Sequence, residues 1–167
     1  MKSAFLPFAL TLCLFAACST KTVSSDDSSS ENEPASSTSI LDAVQEDSLY
    51  TTKDSVAAYL CKFDKLPSNY VNKSEGKELY ELKTGNAFSK WNFNPWTTIG
   101  VMIGGDNFNN DASKPSSYHE ALPEGSYHEA DVDYSGKNRG TKRLVYQSDC
   151  VIYYTDDHYS TFSLLNF

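Results

Sequence analysis

From Tyr127 to Tyr134 the side chains alternate in character, and this alternation limits what the chain can fold into more than any other stretch does. An extended backbone there puts Glu129, Asp131 and Asp133 on one face and Ala130, Val132 and Tyr134 on the other. One face suits a core; the other gathers acids. Gly136 and Gly140 bracket a polar turn, after which Arg143, Val145 and Gln147 share one face of a second strand, and Leu144 and Tyr146 the other. If the two strands pair, Arg143 faces the Glu129 side. A turn at Ser148 and Asp149 starts a strand from Val151 to Thr155, and the Asp156 to Tyr159 turn leads to a last strand, Ser160 to Leu165. The pattern predicts an antiparallel meander that carries its ionisable groups on one surface.

Helices precede it. Val56, Tyr59, Leu60 and Phe63 fall at the spacing of one apolar helix face, which predicts a helix over Lys53–Phe63 stopped by Pro67. Asn72 with Glu75 three residues later forms a capping-box pattern, so a second helix is expected from Lys73 to about Lys83, closed by Gly85. Lys73 then sits in a first turn, where the helix dipole disfavours a cation; by itself it reads as a solvated lysine. Asn86 to Thr98, with Trp91, Phe93, Pro95 and Trp96, reads as an aromatic loop and short helix covering the core. Ile99 to Ile103 is expected to be a buried strand that enters Gly104-Gly105-Asp106. The class is α+β in one domain, with helices first and a mixed or antiparallel sheet after.

The N-terminal third differs in kind. Lys2, the apolar run Ala4 to Ala17, and then Cys18 form a secretory signal (residues 1–17) ending in the lipobox-like Leu14-Phe15-Ala16-Ala17-Cys18. The expectation is lipidation at Cys18; simple cleavage at Ala16-Ala17 and a buried helix are the alternatives. Several acyl chains on Cys18 would supply stable membrane anchoring. Residues 18–49 are Ser-rich and acidic, with seven acids and one lysine from Ser19 to Leu49, and are expected to form a disordered tether to a domain at 50–167. The net charge of −8 is concentrated there: Tyr50 to Phe167 holds fifteen acids and twelve bases. So mild a balance argues against broad affinity for nucleic-acid backbone, and any cation that meets phosphate acts locally.

Four cysteines are present, Cys13, Cys18, Cys61 and Cys150, and the first two belong to the signal and anchor. The remaining pair lacks metal-ligand spacing, as do three scattered histidines, so no metal is expected. Export favours a disulfide over two buried thiols. No phosphate-cradling glycine pattern is complete, and no cofactor is expected.

The stretches 128–134, 138–149 and 152–162, together with Leu66 to Glu75 and Ile103 to Phe108 upstream, resemble in the same order the guanyl-specific microbial ribonucleases of the barnase and binase type. The likeness covers about Ser55 to Phe167. It implies helices packed on a C-terminal antiparallel sheet, and it places Cys61 beside Cys150. It also implies metal-independent endonucleolytic cleavage of single-stranded RNA, after guanosine, to a 2′,3′-cyclic phosphate. Glu129 would be the base and His158 the acid, with Lys73, Arg139 and Arg143 on the phosphate and Asp131 orienting the arginines. Without the resemblance, Glu129 and Arg143 read as a cross-strand ion pair and His158 as a polar turn residue.

Base reading in the family follows the Gly-Gly-Asp stretch, through backbone groups and then a carboxylate. Phe108, Asn109 and Asn110 keep the start of that segment. An arginine and a glutamate normally follow; here Asp111 does, and the run to Leu122-Pro123 is longer. Glu120 is the expected displaced carboxylate, with His119 or Lys114 as displaced cation. Tyr159 either contacts a base through its ring or fills the turn.

Three functions compete: a lipid-anchored endoribonuclease at the cell envelope, a catalytically idle ribonuclease-like surface module, and a structural lipoprotein. The convergent ionisable groups favour the first, and the altered recognition loop favours the second. The resemblance implies a barstar-like protein inhibitor as a partner. Nothing marks oligomerisation, so a monomer is the default.

Overall fold

The computed structural model describes residues 37–111 and 121–167; the signal, Cys18, His119, Lys114 and Glu120 lie outside them. Helices α1 (Ser37–Ala43), α2 (Lys53–Phe63) and α3 (Lys73–Thr84) and the short α4 (Pro95–Ile99) are joined by six strands among the described residues. These are β1 (Tyr70–Val71), β2 (Met102–Phe108), β3 (Tyr127–Asp131), β4 (Arg143–Gln147), β5 (Val151–Thr155) and β6 (Ser163–Leu164). They form one sheet in sequence order, parallel between β1 and β2 and antiparallel elsewhere. The result is an α+β fold.

Alternating side chains give this sheet two different faces. Val132, Leu144 and Ile152 turn toward α2, where Val56, Ala57 and Leu60 meet them in the main core. Glu129, Asp131 and Arg143 turn the other way. Their neighbours Tyr127 and Val145 join Leu122 in a smaller core, against which Phe108, Tyr153, Tyr159 and Phe162 pack.

Helix α3 starts on the expected capping box, with Asn72 accepting from Glu75 N and the Glu75 side chain accepting from Asn72 N, and it ends on Gly85 in the left-handed region. Helix α2 has the expected span, but its end is set by Asp64 at φ 51°, not by Pro67. A left-handed residue ends the ladder before proline is reached.

Three strand expectations are corrected. Ile99 ends α4, where its apolar side chain is buried, and the strand begins only at Met102 after Gly100 turns the chain. Strand β3 stops at Asp131 because Asp133 adopts φ 51°, which breaks the alternation. The last strand is two residues, since the Asp157 to Thr161 turn occupies its expected start.

Residues upstream of Tyr50 also contact α2. Val44 is buried, Tyr59 OH donates to Glu46 O at 2.9 Å, and Lys62 Nζ donates to Leu41 O and Val44 O, each at 2.9 Å. Tertiary contact with α2 supplies what a polar composition concealed. Cys61 and Cys150 form a disulfide between α2 and the turn before β5, 89 residues apart. Such a closure contributes about 2 to 4 kcal/mol, chiefly by restricting the unfolded chain.

Candidate active site

β3 and β4 pair with Asp131 opposite Arg143 and Glu129 opposite Val145, so Arg143 lies on the Glu129 face, one pair along. Asp131, 1% exposed, is the hub. Arg139 grips it twice, Nε to Oδ2 at 2.6 Å and Nη2 to Oδ1 at 2.7 Å. Arg143 Nε lies 2.7 Å from Oδ1, yet this N–H is not aligned to form a hydrogen bond. The contact is therefore a close ion pair, while Arg143 Nη1 and Nη2 donate to Lys142 O and Gly140 O and fix the guanidinium. Tyr134 OH also donates to Asp131 Oδ2 and accepts from Ile103 N at 3.2 Å. One buried carboxylate thus holds two guanidinium groups and leaves one positive charge over, which suits an anionic ligand.

Glu129, 7% exposed, sits beside this hub between two donors. Lys73 Nζ donates to Oε1 and Tyr159 OH to Oε2. Burial pushes its pKa up, but Lys73, Tyr159 and Arg143 together outweigh burial and hold it below the usual carboxylate range. Each oxygen keeps further lone-pair directions, so the carboxylate can still accept a proton. Tyr159 is expected to contact a base or fill the turn; in the structure it lies in the turn, and its hydroxyl also donates to Glu129.

Lys73 reaches Glu129 because of a bulge. Strand β2 shifts register between Gly104 and Asp106, with Gly105 at φ 90°. The shift aims Asp106 at α3, where Oδ2 accepts from Lys73 N at 3.0 Å. With Glu75, this puts two acids at the start of α3 and offsets the dipole cost of a cation there. A Cβ on Gly104 would lie 2.8 Å from Tyr70 Cδ1 and 2.9 Å from Ala130 Cβ, so glycine permits the close approach.

His158 is exposed on the turn after β5, at φ 59°, with Tyr159 at φ 75°. Left-handed non-glycine residues cost on the order of 1 to 3 kcal/mol each. Hydrogen bonds offset this: Asp157 Oδ1 accepts from Thr155 Oγ1 and Thr161 N, its Oδ2 accepts from Thr161 Oγ1, and Thr155 Oγ1 accepts from Tyr159 N. Partial burial and then Arg143 push the His158 pKa below the ordinary histidine value, against a smaller opposite pull from Glu129.

Phe108 packs against Tyr159 with the rings tilted and their centres 5.2 Å apart. Beyond it lies a cleft of about 470 Å³, lined among others by Phe108, Asn109, Asn110, Asp111 and Glu124. The Asn110 side chain accepts from Leu122 N and donates to Leu122 O and Pro123 O, so it ties the end of β2 to the chain before β3.

Residues 53–166 match the ribonuclease family profile. The chain belongs to the ribonuclease family. It is 40% identical over 115 residues to a ribonuclease of Heyndrickxia coagulans, a match spanning 67% of this chain and 94% of that protein. Ribonucleases of Bacillus intermedius and Bacillus pumilus match at the same identity, over 67% of this chain but 63% of their own length. The profile covers every described candidate residue, from Lys73 to Tyr159.

Sequence reasoning missed Tyr134, Asp106 and Asp157 as supports of the site. Tyr134 was assigned to the core face by strict alternation, and a strand ending at Asp131 is what frees its hydroxyl to return to Asp131. Asp157 had a legible signal: an aspartate four residues before Thr161, in a turn pattern that lets its side chain cap following backbone N–H groups.

Proposed function

We propose that this ribonuclease is a metal-independent endoribonuclease that cuts single-stranded RNA, with preference for the bond after guanosine. The observation that carries the reading is the placing of an ionised Glu129 beside the Asp131–Arg139–Arg143 cluster, with His158 in the field of both. Glu129 takes the proton of the ribose 2′-hydroxyl, and the 2′-oxygen attacks phosphorus. The bond from phosphorus to the 5′-oxygen breaks as His158, protonated, gives its proton to that oxygen. The product pair is a 2′,3′-cyclic phosphate and a free 5′-hydroxyl. Arg139, Arg143 and Lys73 meet the charge that grows on the non-bridging oxygens. Because Lys73 already pairs with Glu129, substrate phosphate would draw it partly away and leave Glu129 a stronger base. These side chains supply every proton transfer and charge the step needs.

Guanosine preference rests on Phe108, Asn109 and Asn110 at the cleft and on a carboxylate, Glu120, from the longer run of sequence that precedes Leu122-Pro123. The alternative, an idle surface module, draws support from the altered loop alone. Incubating the exported domain with RNA in excess chelator separates them: cleavage to cyclic-phosphate ends supports the enzyme, and intact RNA with retained binding supports the module.

For location, the reading is an exported lipoprotein held at the envelope through Cys18. Its support is the apolar run that meets this cysteine through two alanines. Cys18→Ser should release the protein from membranes; unchanged detergent partitioning would place the anchor elsewhere.

A further inference from the structure

We propose that Trp91 is a positioning residue for Arg139, fixing from the face a guanidinium that Asp131 holds only by its edge. The proposal rests on the reading of Arg139 as a cation that meets the RNA phosphate. The Arg139 guanidinium carbon lies 5.3 Å from the Trp91 ring centre, within cation–π range. The Arg139 side chain is 12% exposed and Trp91 is half-buried, so the contact is partly shielded from water.

The geometry explains why a second restraint is needed. The two parallel hydrogen bonds to Asp131 set the guanidinium's in-plane position, but a two-point grip still allows rocking about the line through the two oxygens. Arg139 also lies in a turn, between Gly136 at φ 71° and Gly140 at φ 67°, with little local stiffness of its own. An aromatic face against the guanidinium opposes the rocking. The Asn94 Nδ2 to Gly136 O hydrogen bond, at 3.1 Å, docks the same turn onto the segment that carries Trp91.

Trp91 is itself packed among other rings. Its ring meets Phe88 at 4.8 Å and Phe93 at 5.5 Å between centres, and Phe93 stacks on Tyr80 of α3 at 4.6 Å. Gly76, also on α3, leaves the room: a Cβ there would lie 2.9 Å from Trp91 Cη2. Lys73 stands in the first turn of that helix. Two cations of the site are therefore indexed to one element, Lys73 directly and Arg139 through the rings of Trp91, Phe93 and Tyr80.

A purely structural tryptophan would show the same packing, so the test is a double-mutant cycle in the full chain. Trp91→Leu removes the π face, and Trp91→Phe keeps one. RNA cleavage should fall roughly 3- to 30-fold in Trp91→Leu, seen in kcat more than in KM, and recover substantially in Trp91→Phe. In an Arg139→Ala background, Trp91→Leu should cost nothing further. Should Trp91→Leu fail to fold, Trp91→Met takes its place, filling the cluster with a flexible chain and no π face. Losses that multiply across the two backgrounds, or full activity in Trp91→Leu, would overturn the role of Trp91 while leaving the ribonuclease reading intact. An inactive wild-type chain would overturn both.

Discussion

Tyr159 donates its hydroxyl hydrogen to Oε2 of Glu129 across 30 residues of sequence, which ties the turn that carries His158 to the strand that carries the carboxylate. This bond is one of the interactions that keep Glu129 ionised. Replacing Tyr159 with Phe removes it while leaving the ring against Phe108. The Glu129 pKa should then rise, and the acid limb of the kcat/KM profile should move to higher pH. Lys73→Met should move it further, since the lysine lowers the pKa more. In the wild type both limbs should lie to the acid side of the free side-chain values, because burial and Arg143 also lower His158. The limbs belong to the coupled pair, not to either group alone. A profile unchanged in Tyr159→Phe would contradict this arrangement. The same depressed pKa makes Glu129 a source of stability above the ordinary carboxylate range, lost as pH falls through its folded value.

The segment from Ser37 to Leu49 should behave as part of the folded domain. Burial of Val44 and the Tyr59 to Glu46 hydrogen bond together stabilise by about 2 to 4 kcal/mol. A chain that starts at Tyr50 should therefore unfold at lower denaturant than one that starts at Ser37, with equal RNA cleavage at temperatures where both are folded. Equal midpoints would return this segment to the tether.

How far the fold could be read in advance varied with the kind of signal. Lys53–Phe63 and the start of α3 were legible because apolar period and cap chemistry are local. The β3 and β4 faces were legible because period-two alternation fixes which side chains share a side, so Glu129, Asp131 and Arg143 fell together. What escaped depends on tertiary contact. Val44 lies next to a polar segment and is buried only because α2 is there to receive it. Tyr159 reads as a turn aromatic, and its hydroxyl gains meaning only when the turn after β5 is brought to Glu129 on β3, two strands away in the sheet. Ile99 is apolar in either a strand or a helix end, and period could not choose between them.

The recognition cleft offers a sharper separation. If Glu120 reads the guanine edge, Glu120→Ala should erode the preference for GpN over ApN dinucleotides, with cleavage of ApN nearly unchanged. A missing bidentate contact to a base is worth about 1 to 3 kcal/mol, or roughly 5- to 150-fold in that ratio. Equal loss on both dinucleotides would place Glu120 outside recognition. Loss of the preference in Glu124→Ala instead would give that part to Glu124, which lines the cleft.

The central claim is that Glu129 and His158 move the protons. General acid and base groups typically contribute about 10² to 10⁴-fold each. The most direct measurement is cleavage of a GpN dinucleotide in excess chelator by folded Glu129→Ala, His158→Ala and the double variant. Each single variant should lose at least about 100-fold in kcat, and the double variant should be far less impaired than the product of the two losses, because both groups serve one transition state. A folded His158→Ala protein that cleaves at near wild-type rate in chelator would contradict the mechanism.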